Sequence, residues 1–91
     1  MVPLDKKSEK ENASNRDLEE RALILHNDEI NTFDHVIDTL QDVCRHDKVQ
    51  AEQCAIITHM KGYCEIKRGT RNELEQYQQA LIEKSLSATI D

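Results

Sequence analysis

The sequence lacks both tryptophan and any long apolar run. A membrane-spanning helix needs about 18 consecutive apolar residues, and no segment of this chain approaches that length. The first residues also lack the apolar centre of a secretion signal. We therefore expect a soluble, cytoplasmic protein that does not insert into a membrane.

Positive charge is the scarcer charge. The chain has 12 lysine and arginine residues against 18 aspartate and glutamate residues, for a formal net charge of −6. Binding to the phosphates of nucleic acid requires clustered lysine and arginine, and anionic membrane surfaces attract the same kind of cluster. We expect a protein that binds neither.

Cysteine is also sparse, with Cys44, Cys54 and Cys64 as the three examples. An odd count without an export signal argues against a disulfide framework. The spacing does not match a metal site of the CxxC kind, and no pair of histidines has metal-ligand spacing. We expect three buried thiols that act as small apolar side chains, with no metal and no cofactor. A cysteine–histidine enzyme stays open as an alternative, but no motif of such an enzyme supports it.

The remaining composition divides the chain in two. Residues 1–20 are highly charged and almost without apolar side chains, so they cannot bury enough surface to offset the entropy of ordering them. We expect a disordered N-terminal arm over 1–20 and a single domain over 21–91. A domain that small has little room for a deep active site, which favours a surface binding pocket over an enzyme.

Within 21–91, the apolar pattern changes period several times. An aliphatic run and two alternating segments indicate strands, and apolar residues spaced three and four apart indicate helices. Asn31 or Thr32 is expected to cap the first helix, Asp47 the second and Thr70 the third, and Gly62 is expected to end the second. The predicted order is strand 22–25, helix 33–44, helix 48–60, strand 63–67, helix 71–84 and strand 86–90. This β-α-α-β-α-β order predicts a two-layer α+β domain.

The loop at 27–32 has five hydrogen-bonding side chains in six residues, and Phe33 and Val36 follow it with apolar surface. Polar groups that converge beside an apolar wall are the general form of a ligand pocket, and loops between strand and helix often carry such groups. The same residues are also common in ordinary turns and helix caps, so the pattern alone leaves both interpretations open.

The chain resembles the ClpS family, the adaptors of the bacterial Clp protease system, over about 22–90. The resemblance lies in residues 26–29 (His-Asn-Asp-Glu), 31–33 (Asn-Thr-Phe), 36–41 (Val-Ile-Asp-Thr-Leu-Gln) and 55–59 (Ala-Ile-Ile-Thr-His), with Gly62 after them. It implies a protein that is not an enzyme. Such an adaptor binds destabilising N-terminal residues of substrates, the N-degrons of the N-end rule, for degradation.

The resemblance also implies a role for individual residues. Asn27, Asp28 and His59 would surround the α-amino group of the ligand, and Asn31 and Thr32 would lie near the backbone of its first residues. The residues that would line the side-chain pocket are Phe33, Val36, Ala55, Thr58 and Leu86.

The partners implied are the N-terminal domain of an AAA+ Clp unfoldase with its protease, and substrate proteins with hydrophobic N-terminal residues. The arm would engage the unfoldase, and we expect the adaptor to be a monomer. Phe33 and Ala55 both stand where the family usually has methionine, and the segment between Cys64 and Leu86 is shorter than usual. The alternative is therefore a protein–protein interaction module of the same fold without N-degron recognition.

Overall fold

A computed structural model describes residues 18–91 of the chain. Over these residues it forms three strands and three helices in the predicted order β-α-α-β-α-β. The elements are β1 (Arg21–His26), α1 (Phe33–Cys44), α2 (Lys48–Lys61), β2 (Tyr63–Gly69), α3 (Arg71–Glu83) and β3 (Ser87–Ile90). The α+β prediction is confirmed, with boundaries that differ from the predicted ones by at most two residues.

The predicted arm lies mostly outside the described residues, so its disorder stays a prediction. Its last described residues approach β2, where the Glu20 carboxylate accepts a hydrogen bond from Arg68 at 3.1 Å.

The sheet has the order β2-β1-β3 and is antiparallel throughout. The register between β1 and β2 shifts between Leu23, which faces Lys67, and Ile24, which faces Glu65. One residue of β2 is therefore unpaired at that point, as in a β-bulge. The central strand β1 is buried over four consecutive residues, because it has a neighbouring strand on both sides.

The helix caps follow the sequence signals. Thr32 caps α1 and accepts a hydrogen bond from the backbone of His35, and Asp47 caps α2 and accepts one from the backbone of Gln50. Thr70 and Glu73 form a reciprocal capping box at the start of α3. Each side-chain oxygen satisfies a backbone N–H that has no partner inside its own helix.

The core lies between one face of the sheet and the helices. Leu23 and Leu25 contribute from β1, and their neighbours Ala22 and Ile24 are buried but do not belong to the same cluster. The helices contribute mainly Leu40, Ala51, Cys54, Leu74 and Leu81, and Cys64, Ile66 and Leu86 complete the core. The three thiols are free and buried, which confirms the prediction that they pack as core side chains.

Helix α2 buries Ala51, Cys54, Ala55 and Thr58, whereas Ile57 is 41% exposed. The buried face is carried by small residues, among them Ala51 and Ala55, because α1 and β2 pack closely against it. None of the helices within residues 18–91 is long and apolar enough to cross a membrane.

Candidate functional site

A cavity of about 510 Å³ opens where the end of β1, the loop after it, the start of α1 and the second half of α2 meet. Its wall is polar along the loop and apolar where the helices and Leu86, the residue before β3, approach. It is lined by Leu25, His26, Asn27, Asp28, Glu29, Asn31, Phe33, Val36, Ala55, Thr58, His59 and Leu86.

The cavity brings together nearly all the residues that the sequence singled out. Residues far apart in the chain, such as Asn27, His59 and Leu86, line the same cavity. Thr32 is the exception: its hydroxyl caps α1, and it lies in a neighbouring open groove with Ile30 and His35. The role of each residue towards a ligand stays a prediction.

The loop is held in shape by the carboxylate of Asp28. One carboxylate oxygen accepts hydrogen bonds from the backbone N–H groups of Ile30 at 2.9 Å and Asn31 at 2.8 Å. The other accepts one from the side-chain amide of Asn31 at 2.9 Å. Such a turn, built by an aspartate on the backbone two and three residues ahead, fixes the loop without a regular element.

Asn31 ties this loop to the turn before β3. Besides the bond to Asp28, its amide nitrogen donates to the backbone carbonyl of Ser85 at 2.7 Å. Both amide hydrogens are thereby used inside the protein. Ser85 itself has a left-handed backbone with φ of 69°, so this contact also holds a strained turn in place.

The hydrogen bonds of the loop lower the pKa of Asp28. Partial burial acts to raise the pKa of its carboxyl group, but the bonds from the backbone and side chain of Asn31 and from the backbone of Ile30 outweigh it. The resulting pKa lies below the ordinary value of 3.8. The loop therefore presents a fixed negative charge to the cavity at neutral pH.

The turn after α2 places His59 near Asn27. Helix α2 ends at Gly62, which has φ of 95° and donates its N–H to the carbonyl of Thr58 at 2.8 Å. The carbonyl of Gly62 accepts the N–H of Asn27 at 2.8 Å. This bond joins the end of β1 to the end of α2 and brings the polar groups of both to the mouth of the cavity.

The apolar side of the cavity is built mostly from buried residues. Ala55, Thr58 and Leu86 are each exposed by 5% or less, whereas Phe33 is 46% exposed. The hydroxyl of Thr58 donates to the carbonyl of Cys54 at 2.8 Å. Because that hydrogen is used within the helix, Thr58 adds mainly apolar surface.

Two lining residues were not assigned a place in the site from the sequence. Leu25 and His26 end β1, and His26 is held by a 2.7 Å hydrogen bond between its Nε2 atom and the Thr89 hydroxyl. The position of both residues at the carboxyl end of a strand, directly before a polar loop, is the signal that indicates them.

The electrostatics of the cavity favour a cation. Among the described residues that line it, Asp28 and Glu29 supply negative charge, and no lysine or arginine balances them. Within residues 18–91, no group of three or more histidine, cysteine or acidic side chains is arranged to hold a metal ion. An organic cation with an attached apolar group therefore suits the cavity chemically.

The comparison with solved structures supports the fold. The chain is similar to a structure described as Agrobacterium tumefaciens ClpS2 bound to L-phenylalaninamide, with 18% sequence identity and a TM-score of 0.73. The similarity covers 79% of this chain and 94% of that one. No curated protein matches the sequence.

The comparison with protein families covers most of the chain. Residues 17–89 match the model described as ATP-dependent Clp protease adaptor protein ClpS, and this range includes every residue that lines the cavity. The strand-helix-helix-strand-helix-strand order, the polar loop after β1 and the histidine at the end of α2 all lie within it. The chain belongs to the ClpS family of Clp protease adaptor proteins.

Proposed function

We propose that this chain is an adaptor that binds the N-terminal residue of substrate proteins and delivers them to an AAA+ Clp unfoldase. The observation that supports this most directly is the cavity itself, where a fixed carboxylate and polar groups lie beside a buried apolar wall. An N-terminal residue with a free α-amino group and a hydrophobic side chain needs a polar surface and an apolar surface side by side.

The polar residues of the cavity suit an α-amino group. We call them the polar rim: Asn27, Asp28, Glu29 and His59. An α-amino group has a pKa of about 7.7–8.0, so at neutral pH it is mostly a cation with three N–H donors. The side-chain oxygen of Asn27 and the carboxylate of Asp28 can accept from it. His59 accepts as well when it is neutral, through the ring nitrogen without a hydrogen. Glu29 adds negative charge to the same rim.

The apolar side suits the side chain of the same residue. Phe33, Val36, Ala55, Thr58 and Leu86 would surround it. L-phenylalaninamide, named with the ClpS2 structure, combines a free α-amino group and an apolar ring with an amide in place of the carboxylate. A peptide presents the same three features at its first residue, and Asn31 and Thr32 would lie near the backbone that follows.

The expected affinity is moderate. Burying a leucine or phenylalanine side chain contributes about 1.5–3 kcal/mol, and each hydrogen bond to a charged group contributes a similar amount. After the cost of association, two or three such bonds and one side chain give a dissociation constant on the order of micromolar. An adaptor must release its substrate, and such an affinity permits that.

Delivery is the second half of the proposal. The N-terminal domain of the unfoldase would bind the adaptor, the arm would engage the unfoldase, and the associated protease would degrade the substrate. In this role the protein acts as a cytoplasmic monomer and catalyses no reaction itself.

The test removes single polar groups from the rim. We expect Asn27→Ala and His59→Ala each to weaken binding of a peptide with N-terminal leucine or phenylalanine by roughly tenfold or more, since one hydrogen bond to a charged group is worth about 1.5–3 kcal/mol. Fluorescence anisotropy of a labelled peptide measures this. Far-UV circular dichroism and thermal unfolding confirm that the variants fold.

Matched controls lie on the exposed surface. Asn72→Ala, in the first turn of α3, and Gln53→Ala, on the outer face of α2, remove similar side chains away from the cavity. Both should bind peptide like the parent protein. If the rim variants also bind like the parent, the assignment of the amino-group site is wrong.

A second candidate function is a protein–protein interaction module without N-degron recognition. The outer face of α2 favours it, because Val49, Ile56 and Met60 are apolar and 46–78% exposed. Absence of binding by every free-N-terminal peptide, together with an intact fold, is the result that would select this alternative.

A further inference from the structure

The buried thiols of Cys54 and Cys64 face each other across the junction of α2 and β2. Their sulfur atoms are 2.8 Å apart, and the two residues are ten positions apart in the chain. Both are free, and they are exposed by only 5% and 8%. A disulfide bond has a length of about 2.05 Å, so the sulfur atoms need to approach by only about 0.8 Å. The fold therefore holds the two sulfur atoms close to bonding distance.

The segment between these two cysteines carries much of the cavity. It contains Thr58 and His59, and its Gly62 carbonyl accepts the N–H of Asn27. At the other end, Cys64 lies opposite Leu25 in the sheet, and Leu25 also lines the cavity. A covalent link at the base of this segment would restrain the wall of the site without adding anything to the cavity.

We propose that Cys54 and Cys64 form a redox-sensitive pair. Their oxidation to a disulfide restrains the motion of the segment that carries His59 relative to the sheet. The inference is independent of the proposed ligand, because it rests on two core side chains that do not line the cavity. It differs from a permanent disulfide framework, since the reduced pair already packs in the folded core.

A small peroxide is the oxidant that balances the reaction. One thiolate attacks hydrogen peroxide, the O–O bond breaks, and a sulfenic acid and hydroxide form. The second sulfur then attacks the sulfenic sulfur and releases water, so that two thiols and one peroxide give one disulfide and two water molecules. The thiols are oxidised and the peroxide is reduced.

Burial should make this reaction slow at neutral pH. It raises the pKa of Cys54 well above its usual range, and the hydrogen bond with Cys64 raises it further. Burial also raises the pKa of Cys44 to about 11. Thiolates are the reactive form, so the pair should respond to sustained oxidation and not to brief exposure.

A peptide map of the full-length protein gives a direct test. The folded chain is treated with hydrogen peroxide, its free thiols are alkylated, and it is digested with trypsin. Cleavage after Lys48, Lys61 and Lys67 places Cys54 in the peptide 49–61 and Cys64 in the peptide 62–67, whereas Cys44 lies in 22–45. We expect the first two peptides to be joined in the peroxide-treated sample and separate after reduction.

Two variants act as a matched pair. Cys44→Ala should still form the link, and Cys64→Ala should not. Recovery of Cys54 and Cys64 as separate sulfinic or sulfonic acids in the parent protein, or in a link to Cys44, would overturn the proposal. The map of the parent protein decides this even if Cys64→Ala does not fold.

The restraint on this segment is measured on the oxidised parent protein, through its melting temperature and its amide hydrogen exchange. Closing a loop of about ten residues should raise the melting temperature by roughly 5–15 °C. Amide hydrogen exchange within 55–63 should slow by roughly tenfold, because opening of this segment is restrained. Unchanged amide hydrogen exchange within 55–63 in the disulfide-linked protein would contradict the proposed restraint.

Discussion

At the scale of single residues, Asp28 is the group on which the site depends most. Its carboxylate shapes the loop through Ile30 and Asn31 and supplies negative charge to the cavity. Because folding lowers its pKa, its ionised form stabilises the protein at pH values above the unfolded pKa. That contribution is lost as the pH falls through the lower, folded pKa.

These charges predict two limits to the pH range of peptide binding. On the acid side, affinity should fall as the pH falls through the pKa of Asp28, which the hydrogen bonds of the loop hold below the ordinary value of 3.8. On the alkaline side, affinity should decrease above about pH 8, because the α-amino group of the peptide loses its charge there. Anisotropy titrations between pH 3 and pH 10 measure both limits, with circular dichroism at each pH to follow folding.

The variant Asn31→Ala separates the acid limit from general acid unfolding. It removes a side-chain donor from the carboxylate of Asp28, so the acid limit should move to higher pH while the alkaline limit stays in place. Affinity that is independent of pH up to pH 10 would show that the charge of the amino group is not recognised.

Some residues of the site could be predicted from the sequence and others could not. Asn27, Asp28 and His59 could be selected because the family pattern includes them. Leu25 and His26 could not, because they enter the site only through the way β1 ends beside α2. The contact between Cys54 and Cys64 was equally hidden, because a spacing of ten residues matches no local motif and arises only when α2 and β2 fold back on each other.

At the scale of elements, the turn between α2 and β2 sets the position of His59 relative to Asn27. Gly62 has a left-handed backbone, and a Cβ at that position would meet no atom within 4 Å. Glycine is therefore required at this position only because of the backbone conformation, and not for lack of space. We expect Gly62→Ala to reduce the free energy of unfolding by about 1–2 kcal/mol.

Urea denaturation monitored by circular dichroism measures this change, with Lys61→Ala as the neighbouring control. Lys61 is exposed and precedes the turn, so its replacement should alter stability by less than about 0.5 kcal/mol. Equal stability of Gly62→Ala and the parent protein would mean that the turn can end α2 in another conformation.

The elements themselves were largely predictable because their start and stop signals are local. Thr32, Asp47, Thr70 and Gly62 each act within one turn of the chain, and all four occupy the caps that the sequence indicated. In α2, small residues such as Ala51 and Ala55 lie on the buried face, whereas the larger apolar residues Ile56 and Met60 lie on the exposed side.

At the scale of the whole molecule, the order of strands in the sheet depends on contacts that the sequence does not display. Strand β1 lies in the centre and pairs with both β2 and β3, although they follow it by long and different distances in the chain. A family resemblance predicts such a strand order, whereas the local pattern of apolar residues does not. The cavity exists only because this arrangement brings Leu86 next to α2 and the loop after β1.

The whole-molecule prediction concerns the arm. Deletion of residues 1–17 should leave the affinity for peptide within about twofold of the parent, since described residues from Leu25 onward line the cavity. The same deletion should abolish delivery, because the proposed contact of the arm with the unfoldase is lost.

A degradation assay with unfoldase, protease and a substrate that has an N-terminal leucine measures delivery. A substrate that the unfoldase recognises without an adaptor serves as the control for protease activity. Degradation that continues unchanged with the truncated adaptor would remove the arm from the mechanism.

The proposed function depends on recognition of a free α-amino group together with an apolar side chain. Fluorescence anisotropy with one labelled peptide that begins with phenylalanine, compared with its N-acetylated copy, measures this recognition. Acetylation keeps the ring and the backbone but removes the charge and two of the three donors. We expect a dissociation constant on the order of micromolar for the free peptide and a loss of binding of roughly a hundredfold or more for the acetylated one. Equal binding of the two peptides would contradict the proposed function.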